Sequence, residues 1–501
     1  MDEKFKKLIE RYKKSQEKKQ QWESVWHECY EYAFPQRENV CCDDAYIQDK
    51  TAAHLFDGTA PDAVDQLASS MLSELTPVWA KWFGLKAGYE LSAEESSQVA
   101  EVLEHATDVL QQNFEHSNFG VEIHQCYLDL VTVGTACLLF EEAPIGSSTA
   151  FRFYAVPLRE VSFEESPGGK IDTTFRCSSV GITDVQTRFP KAEIPAFFEH
   201  QAQKDADYKL KVLEVVEPVI KGAGYRYTAF AYDEIYDNQN FVLREGVFET
   251  SPFINFRWLK APGEIYGRSP VMKALPDIKT ANKVVELILK NASISVTGIW
   301  QADDDGILNP ANIRLVPGAI IPKAVGSKGL TPLEAPGKFD ISQLVLENLR
   351  ARINHALLAD RLEQISGPSM TATEVLERSA EISRVLGATF GRLQSELLTP
   401  LIKRAFCILR RRGEIKNFDL DGKIVDLQYK SPLALAQARQ DIQNVAQWVE
   451  MLAKFGTQGL AFVNGFEAAR WLASTLSVPN NLLSKAEPAE EQLSELEAKE
   501  A

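Results

Sequence analysis

Apolar residues along this chain follow a helical spacing, then an alternating spacing, then a helical spacing again, and this order limits the folds that the chain can adopt. In the first 135 residues they recur every three or four positions, as in Val64, Leu67 and Met71, which predicts helices. Residues 137–260 alternate polar and apolar side chains between turn signals, a pattern typical of antiparallel strands with one buried face. The chain is therefore predicted to have a mixed α+β fold that is rich in helix.

The second half of the chain is predicted to contain two helices around a short insertion. One helix begins at Ser269, a segment rich in Gly and Pro with β-like pieces covers residues 297–340, and the second helix covers residues 341–363. After Gly367-Pro368 a very long helix is predicted over residues 371–412. It contains three weak points at which it can bend: Gly387, Gly391 and Pro400.

Composition excludes several functional classes. The 501 residues include 70 acidic and 54 basic ones, a net charge of −16, which argues against a protein that coats itself in nucleic acid but not against one through which DNA slides. The seven cysteines form no Cys-x-x-Cys pair and indicate free thiols in a reducing compartment. No uncharged apolar run reaches the ~18 residues of a membrane span, and the N-terminus is charged where a signal peptide is apolar. We expect a soluble intracellular chain of about three domains.

Motifs that suggest catalysis or metal binding are incomplete. Residues 167–170 are similar to a phosphate-binding loop, but Glu164 replaces its leading glycine and Ile171 its Ser or Thr, so a hairpin turn is predicted there. Residues 303–306 are similar to a calcium loop, but Asn312 stands where the closing carboxylate is needed. The cysteines and histidines lack metal-ligand spacing. The sequence therefore predicts no catalytic residue, no metal site and no cofactor.

Three lysines mark one face of the helix that begins at Ser269. Lys279, Lys283 and Lys290 lie opposite its apolar residues over about 16 Å of helix, with Glu286 among them. They are candidates for contact with DNA phosphates, which position a protein without reading sequence. They can equally form a solvent or intersubunit face in which Glu286 pairs with Lys283 and Lys290.

A second basic cluster falls at the end of the long helix. It is a candidate surface for nucleic acid or for a neighbouring subunit, although cations also stabilise a helix C-terminus through its dipole. Its members are Lys403, Arg404, Arg410, Arg411, Arg412 and Lys416.

Four segments together resemble one family. They are residues 55–85, with a Leu-Thr-Pro exit into Trp-Phe; 263–284, with Tyr-Gly-Arg-Ser-Pro; 371–375, Thr-Ala-Thr-Glu-Val; and 387–404, with Glu-Leu-Leu-Thr-Pro-Leu. In this order and spacing they resemble the portal proteins, or head-to-tail connectors, of short-tailed, podovirus-type tailed bacteriophages.

The resemblance implies the portal fold, a ring of about twelve subunits with a wing, a stem, a clip and a crown around an axial channel. It assigns residues 1–265 and 374–430 to the wing, 266–296 and 341–363 to two stem helices, 297–340 to the clip, 364–373 to a tunnel loop, and 431–501 to the crown and an acidic C-terminal tail. Gly367, Pro368, Ser369 and Met370 are the tunnel-loop candidates, although an ordinary helix connection fits them as well.

The resemblance also implies a function without catalysis. It implies a portal at one capsid vertex of the virion, assembled in the host cytoplasm, through which double-stranded DNA is packaged by the terminase motor and later ejected. The implied partners are further copies of the chain, the terminase large subunit, tail adaptor and nozzle proteins, capsid and scaffolding proteins, and DNA bound transiently and non-specifically; no membrane is implied. The alternative is a soluble multidomain helical enzyme or scaffold, for which the residues suggest no substrate.

Overall fold

In a computed structural model, the chain forms helices, then antiparallel strands, then helices again, as the apolar spacing predicts. The predicted tunnel-loop residues Gly367, Pro368, Ser369 and Met370 lie outside the residues that the structure describes, as do residues 303–306. The described residues are 3–37, 54–88, 90, 93–204, 208–219, 222–231, 241–297, 300–302, 330–332, 339–359, 389–416, 418, 422–423, 425–429 and scattered positions between 442 and 472.

Four helices precede the main strands, which confirms the prediction for the N-terminal part. Among the described residues, two short helices interrupt the strands and three helices of at least 14 residues follow them, with further helical residues at 445–453. The helices are α1 (Glu3–Ala33), α2 (Thr59–Leu75), α3 (Ala93–Glu115), α4 (Phe119–Val133), α5 (Ile182–Arg188), α6 (Ala196–Lys204), α7 (Pro270–Thr297), α8 (Phe339–Ala356) and α9 (Thr399–Arg412).

All described strands pair antiparallel. A three-stranded sheet has the order β3-β2-β9, a five-stranded sheet the order β4-β5-β6-β7-β8, and two further pairs are β1-β12 and β10-β11. The strands are β1 (Phe83–Ala87), β2 (Thr135–Glu142), β3 (Phe151–Val156), β4 (Val161–Glu165), β5 (Ile171–Gly181), β6 (Lys209–Pro218), β7 (Tyr225–Ala231), β8 (Val242–Phe248), β9 (Phe253–Arg257), β10 (Trp300–Ala302), β11 (Leu330–Pro332) and β12 (Val425–Tyr429).

The central strand β6 of the five-stranded sheet is buried on both faces, which corrects the prediction of one buried face. On one side, Leu8 and Tyr12 of α1 pack in a cluster that includes Leu213 of β6. On the other side, Val212 and Val216 of the same strand belong to the main core. Alternation along a strand is a local signal, and it cannot show that the N-terminal helix covers the second face.

Helix α7 begins where the sequence predicts. The Ser269 hydroxyl accepts a hydrogen bond from the Met272 N–H at 2.9 Å and donates one to the Thr132 carbonyl at 2.8 Å. Pro270 occupies the first helical position, where a missing N–H costs nothing. The Ser-Pro pair therefore both starts the helix and fixes it to the end of α4.

Two glycines let the backbone before α7 touch the backbone at the end of α4. Gly134 ends α4 in the left-handed conformation, with φ +80°. A Cβ on Gly267 would lie 2.0 Å from the Gly134 carbonyl oxygen, and the Gly267 N–H donates to the Thr135 hydroxyl at 2.8 Å. No larger residue fits at Gly267 unless one of these backbones moves.

The long helix contains a π turn. Its described part starts at residue 389, passes through the π turn Gln394–Leu398 and continues as α9. The Thr399 N–H bonds to the Gln394 carbonyl, five residues back, and the Thr399 hydroxyl donates to the same oxygen at 2.8 Å. Pro400 has no N–H to complete an α-helical bond, so the wider turn lies just ahead of it. This confirms Pro400 as a point of irregularity.

A fully buried arginine joins β9 to the π turn and to the β4-β5 hairpin. Arg257 donates to the Glu396 carboxylate at 2.7 Å and to Glu165 at 3.2 Å. It also donates to the carbonyl oxygens of Ile265 and Gly169, both at 2.9 Å. Burial alone would lower the pKa of Arg257, but the two carboxylates outweigh burial and raise it.

Replacing Gly267 by Ala should lower the free energy of unfolding by about 2–3 kcal/mol, because the new Cβ meets backbone that no side-chain rotation can move. Urea unfolding followed by circular dichroism measures the loss. Gly391→Ala is the matched control, because a Cβ there meets nothing within 4 Å. In this helical position it should leave stability unchanged or raise it by about 0.5–1 kcal/mol. Equal effects of the two substitutions would contradict the argument.

Helix α4 carries a buried carboxylate. Asp129 is 1% exposed, lies 2.9 Å from the Arg37 guanidinium and accepts a hydrogen bond from the Tyr30 hydroxyl at 3.0 Å. Burial raises the pKa of Asp129 to about 6, and Arg37 and Tyr30 offset only part of this rise.

Because this pKa lies above its ordinary value, the folded chain holds the Asp129 proton more tightly than the unfolded chain does. The contribution of Asp129 to the free energy of unfolding should therefore fall as pH rises from about 4 to about 6, by at most about 1.4 kcal/mol per pH unit. Asp129→Asn cannot ionise. The difference in unfolding free energy between variant and parent should change across that window and stay constant above it; a pH-independent difference would refute the assignment.

Candidate functional site

The predicted lysine face lies on a pair of helices that projects from the core. The first half of α7 is packed into the main core through Ile278 and Ala281, and α8 joins it through Leu349 and Ile353. From Lys283 onward, none of the described side chains of α7 is buried. The second half of α7 and the start of α8 therefore extend beyond the body of the protein. We call these two helices the projecting pair.

An asparagine and an ion pair hold the projecting pair to the segment before α2. The Asn282 side-chain oxygen accepts hydrogen bonds from the backbone N–H groups of Phe56 and Asp57, at 2.6 and 3.1 Å. The Arg350 guanidinium of α8 lies 2.9 Å from the Asp57 carboxylate. Burial would raise the pKa of Asp57, but hydrogen bonds from Thr59 and Arg350 outweigh it, so this pKa is lowered.

The three predicted lysines have two different environments in the structure. Lys279 lies 2.6 Å from Glu28 of α1 and 5.8 Å from the Tyr32 ring centre, so it joins α7 to α1. Lys283 and Lys290 have side chains that are 62% and 65% exposed, and both pair with Glu286, at 2.9 and 2.5 Å.

Glu286 carries the negative charge of this face. Hydrogen bonds from Lys290 and Lys283 lower the pKa of Glu286 to about 2, so it is ionised throughout the physiological range. The three groups together therefore carry one net positive charge. Contact of Lys283 and Lys290 with DNA remains a prediction.

Large apolar side chains are exposed on the same helices. Leu287 and Leu289 of α7 are 54% and 51% exposed, and Leu344 and Val345 of α8 are 62% and 44% exposed. Nothing in the sequence pattern distinguished them from core residues, because they lie on predicted amphipathic helices. Large exposed apolar side chains on a projecting element are typical of a region that packs against another protein.

Arg404 is not part of a basic surface, which corrects that part of the prediction. It is 5% exposed, and it donates to the carbonyl oxygens of Phe140 at 2.7 Å and Thr250 at 2.8 Å. A signal for this burial was present in the sequence. Arg404 lies three residues after Leu401 and four before Ile408, on the apolar stripe of its helix.

The rest of the basic cluster lies nearer the surface, and much of its charge is neutralised. Lys403 and Lys416 are exposed. Arg410 pairs with Glu249, and both Arg411 and Arg412 pair with Glu142. These pairs fix the last turn of α9 to the ends of strands β2 and β8. The cluster thus presents less free positive charge than its sequence suggests.

A surface groove between α2 and α4 bears on the enzyme alternative. Ser69, His124 and Asp65 line it, and the Ser69 hydroxyl lies 3.4 Å from His124 Nε2. Burial raises the pKa of Asp65. However, Ser69 and His124 lie within helices, where backbone N–H groups are already bonded and cannot stabilise an oxyanion. The backbone at Ser69 and His124 therefore supplies no donor for an oxyanion in acyl transfer.

The segment similar to a phosphate-binding loop forms a turn between two strands. Ser166 closes a hairpin turn with Lys170, whose carbonyl lies 2.9 Å from the Ser166 nitrogen, and this confirms the predicted turn. Across the described residues no three His, Cys, Asp or Glu side chains come together as a metal site. None of the described helices is long and apolar enough to cross a membrane.

Comparison with known proteins identifies the family. A family model for the bacteriophage head to tail connecting protein matches residues 5–483. The probable portal protein of Bordetella phage BPP-1 is 24% identical over 484 residues, 93% of this chain and 85% of that protein. The portal protein of Salmonella phage epsilon15 is 24% identical over 91% of this chain and 86% of its own length. That of Enterobacteria phage T3 is 22% identical over 78% and 72%.

A solved structure is also similar. The match to a chain from the neck of an empty gene transfer agent (GTA) particle covers 86% of this chain and 93% of that chain, at 12% identity and a TM-score of 0.38. A TM-score of 0.38 is too low to establish a common fold.

These matches place the chain among structural proteins of tailed phages. It belongs to the bacteriophage head-to-tail connecting protein family, whose model covers nearly its whole length. Its role is that of a portal protein, a component of the virion at the junction of head and tail.

Proposed function

We propose that the chain is one subunit of a closed ring of about twelve, placed at one capsid vertex, with an axial channel for double-stranded DNA. The observation that carries this proposal is the projecting pair. Its exposed residues Leu287, Leu289, Leu344 and Val345 face water in a single chain. Contact between unlike surfaces of successive copies, repeated by rotation, buries such residues and closes a ring.

In this proposal the parts of the chain have the portal layout. The stem comprises residues 266–296 and 341–363, and the clip residues 297–340. The tunnel loop comprises residues 364–373, with Gly367, Pro368, Ser369 and Met370. The wing and the crown form the remainder of the chain. Support comes from the order of the elements, since the short β10-β11 pair lies between α7 and α8.

The proposed partners bind at successive stages in the use of the channel. The ring assembles in the host cytoplasm with scaffolding and capsid proteins, and the terminase large subunit then docks to it. ATP hydrolysis belongs to that motor. Tail adaptor and nozzle proteins later attach at the same end, and the DNA leaves through the channel.

Lys283 and Lys290 are the lysines that we assign to the channel wall, and Glu286 limits how strongly they attract DNA. A conduit must contact phosphates without holding them, because strong contacts slow passage. One carboxylate shared between two lysines reduces their attraction for DNA while keeping both side chains extended from the helix.

Ring formation can be tested with the exposed apolar residues. The purified chain should form rings with an axial hole in negative-stain electron microscopy and give a mass near twelve times 56.0 kDa by mass photometry. The double variant Leu287→Ser, Leu344→Ser should remain folded but lose the rings, because the contact loses apolar area. Val121→Ser is the matched control, since Val121 is 68% exposed on a different helix. Rings that survive the double variant would exclude the projecting pair as the contact.

Glu286→Gln should strengthen DNA binding by the assembled protein. Removing the shared carboxylate releases two lysines, so affinity for a short duplex should rise by about three- to tenfold at low salt and become more salt-dependent. Fluorescence anisotropy across a salt series measures both. Glu264→Gln is the control for net charge, because Glu264 pairs with Arg268 away from the lysine face. Equal gains in the two variants would exclude the lysine face as a specific contact.

A further inference from the structure

Three arginines are buried in the described part of the chain, and one of them lacks a carboxylate. Arg176, Arg257 and Arg404 are 6%, 0% and 5% exposed. Arg176 pairs with Glu160 and Glu214, and Arg257 pairs with two glutamates as described above. Among the described residues, no carboxylate lies within 4.0 Å of Arg404. Burying a guanidinium without a counter-charge costs several kcal/mol.

The groups in direct contact with the Arg404 guanidinium are neutral, while the charges of Arg411, Glu141 and Glu142 act on its pKa with opposite signs. Besides its two carbonyl acceptors, its guanidinium lies 5.7 Å from the ring centre of Phe140 and 5.3 Å from that of Phe248. Burial, with a smaller contribution from Arg411, lowers the pKa of Arg404 to about 10. The pKa values of Arg176 and Arg257 are raised by their carboxylates instead. Arg404 is thus a buried cation held by neutral acceptors and aromatic rings, with no described carboxylate in direct contact.

A cavity of about 590 Å³ opens beside this guanidinium, between the end of β8 and helix α9. Arg404, Arg410 and Arg411 line it, and Glu249 supplies the one carboxylate among its described lining residues. Arg410 pairs with Glu249 and Arg411 pairs with Glu142, so among these three arginines Arg404 is the one with no described carboxylate within 4.0 Å. Guanidinium groups bind planar carboxylates with two parallel hydrogen bonds, which is the strongest arrangement available to them.

We propose that this cavity receives an acidic side chain, Asp or Glu, from another polypeptide, and that its carboxylate pairs with Arg404. The occupant is a protein rather than DNA because Arg404 is 5% exposed and lines the cavity, so a group that pairs with it must enter the cavity. A carboxylate on a short flexible stem can enter, whereas a duplex phosphate is flanked by sugars on both sides. This binding site goes beyond the channel proposed above, and a single chain suffices to test it.

Cys407 provides the readout, because it lines the cavity and is only partly buried. Alkylation of the full chain is followed by peptide mass spectrometry at Cys407 and at Cys177, which is also partly buried but lies on β5, away from the cavity. Hexaglutamate should slow alkylation of Cys407 by about tenfold, the value of one charge-assisted contact, and leave Cys177 unchanged. A short DNA duplex at equal charge concentration should protect neither.

Variants distinguish binding of hexaglutamate in the cavity from its attraction to positive charge elsewhere on the surface. Arg404→Met should abolish protection by hexaglutamate, and Arg411→Gln, which alters an exposed side chain and leaves the core intact, should weaken it by about threefold or more. Arg268→Gln is the matched control, since the Arg411 and Arg268 side chains are 59% and 60% exposed and both are ion-paired. The proposal fails if hexaglutamate gives no protection, if duplex DNA protects equally well, or if Arg268→Gln weakens protection as much as Arg411→Gln.

Discussion

Burial of the Arg257 guanidinium imposes a constraint that the rest of the fold satisfies. A buried charge is tolerated only when carboxylates and hydrogen-bond acceptors accompany it. Arg257 therefore requires Glu165, Glu396 and two backbone carbonyls at the same point. Since these groups belong to the β4-β5 hairpin, the loop before α7 and the π turn, one side chain fixes both sheets and the long helix relative to one another.

The same principle of charge pairing describes the surface. The chain has 16 more acidic than basic residues, and much of its positive charge near the strands is matched by nearby carboxylates. Glu142 and Glu249 neutralise the end of α9, and Glu28 neutralises Lys279. These pairs leave the end of α9 and the contact between α1 and α7 with little unpaired charge.

The parts of the fold that could be predicted are those with local signals. Apolar spacing gave the order of helices and strands, Ser269-Pro270 gave the start of α7, and residues 166–170 gave a turn. Contacts between distant residues could not be read in this way. Strand β1 pairs Phe83 with Tyr429, and α1 covers the outer face of a sheet more than 100 residues away. The resemblance to portal proteins was visible in four short segments, and the family match confirms it.

The candidate site was predicted less completely than the fold. The lysines were found because charge on a helix face is a local pattern, but the function of Lys279 as a tie to α1 depends on a distant partner, Glu28. Arg404 was grouped with surface cations because of its neighbours in sequence, although its place on the apolar stripe indicated burial. The exposed leucines of the projecting pair have meaning only once the limits of the core are known.

The π turn at Gln394–Leu398 has a consequence for the evolution of the long helix. A π turn holds one residue more than an α turn, and each residue of an α-helix rotates the chain by about 100°. A relative that lost one residue in this turn would regain a regular helix, and helical residues 389–393 would rotate by that angle about the helix axis. A single-codon deletion could thus change which side chains these residues present while α9 stays in place. In an alignment, a one-residue gap at this position marks a rotated helix face.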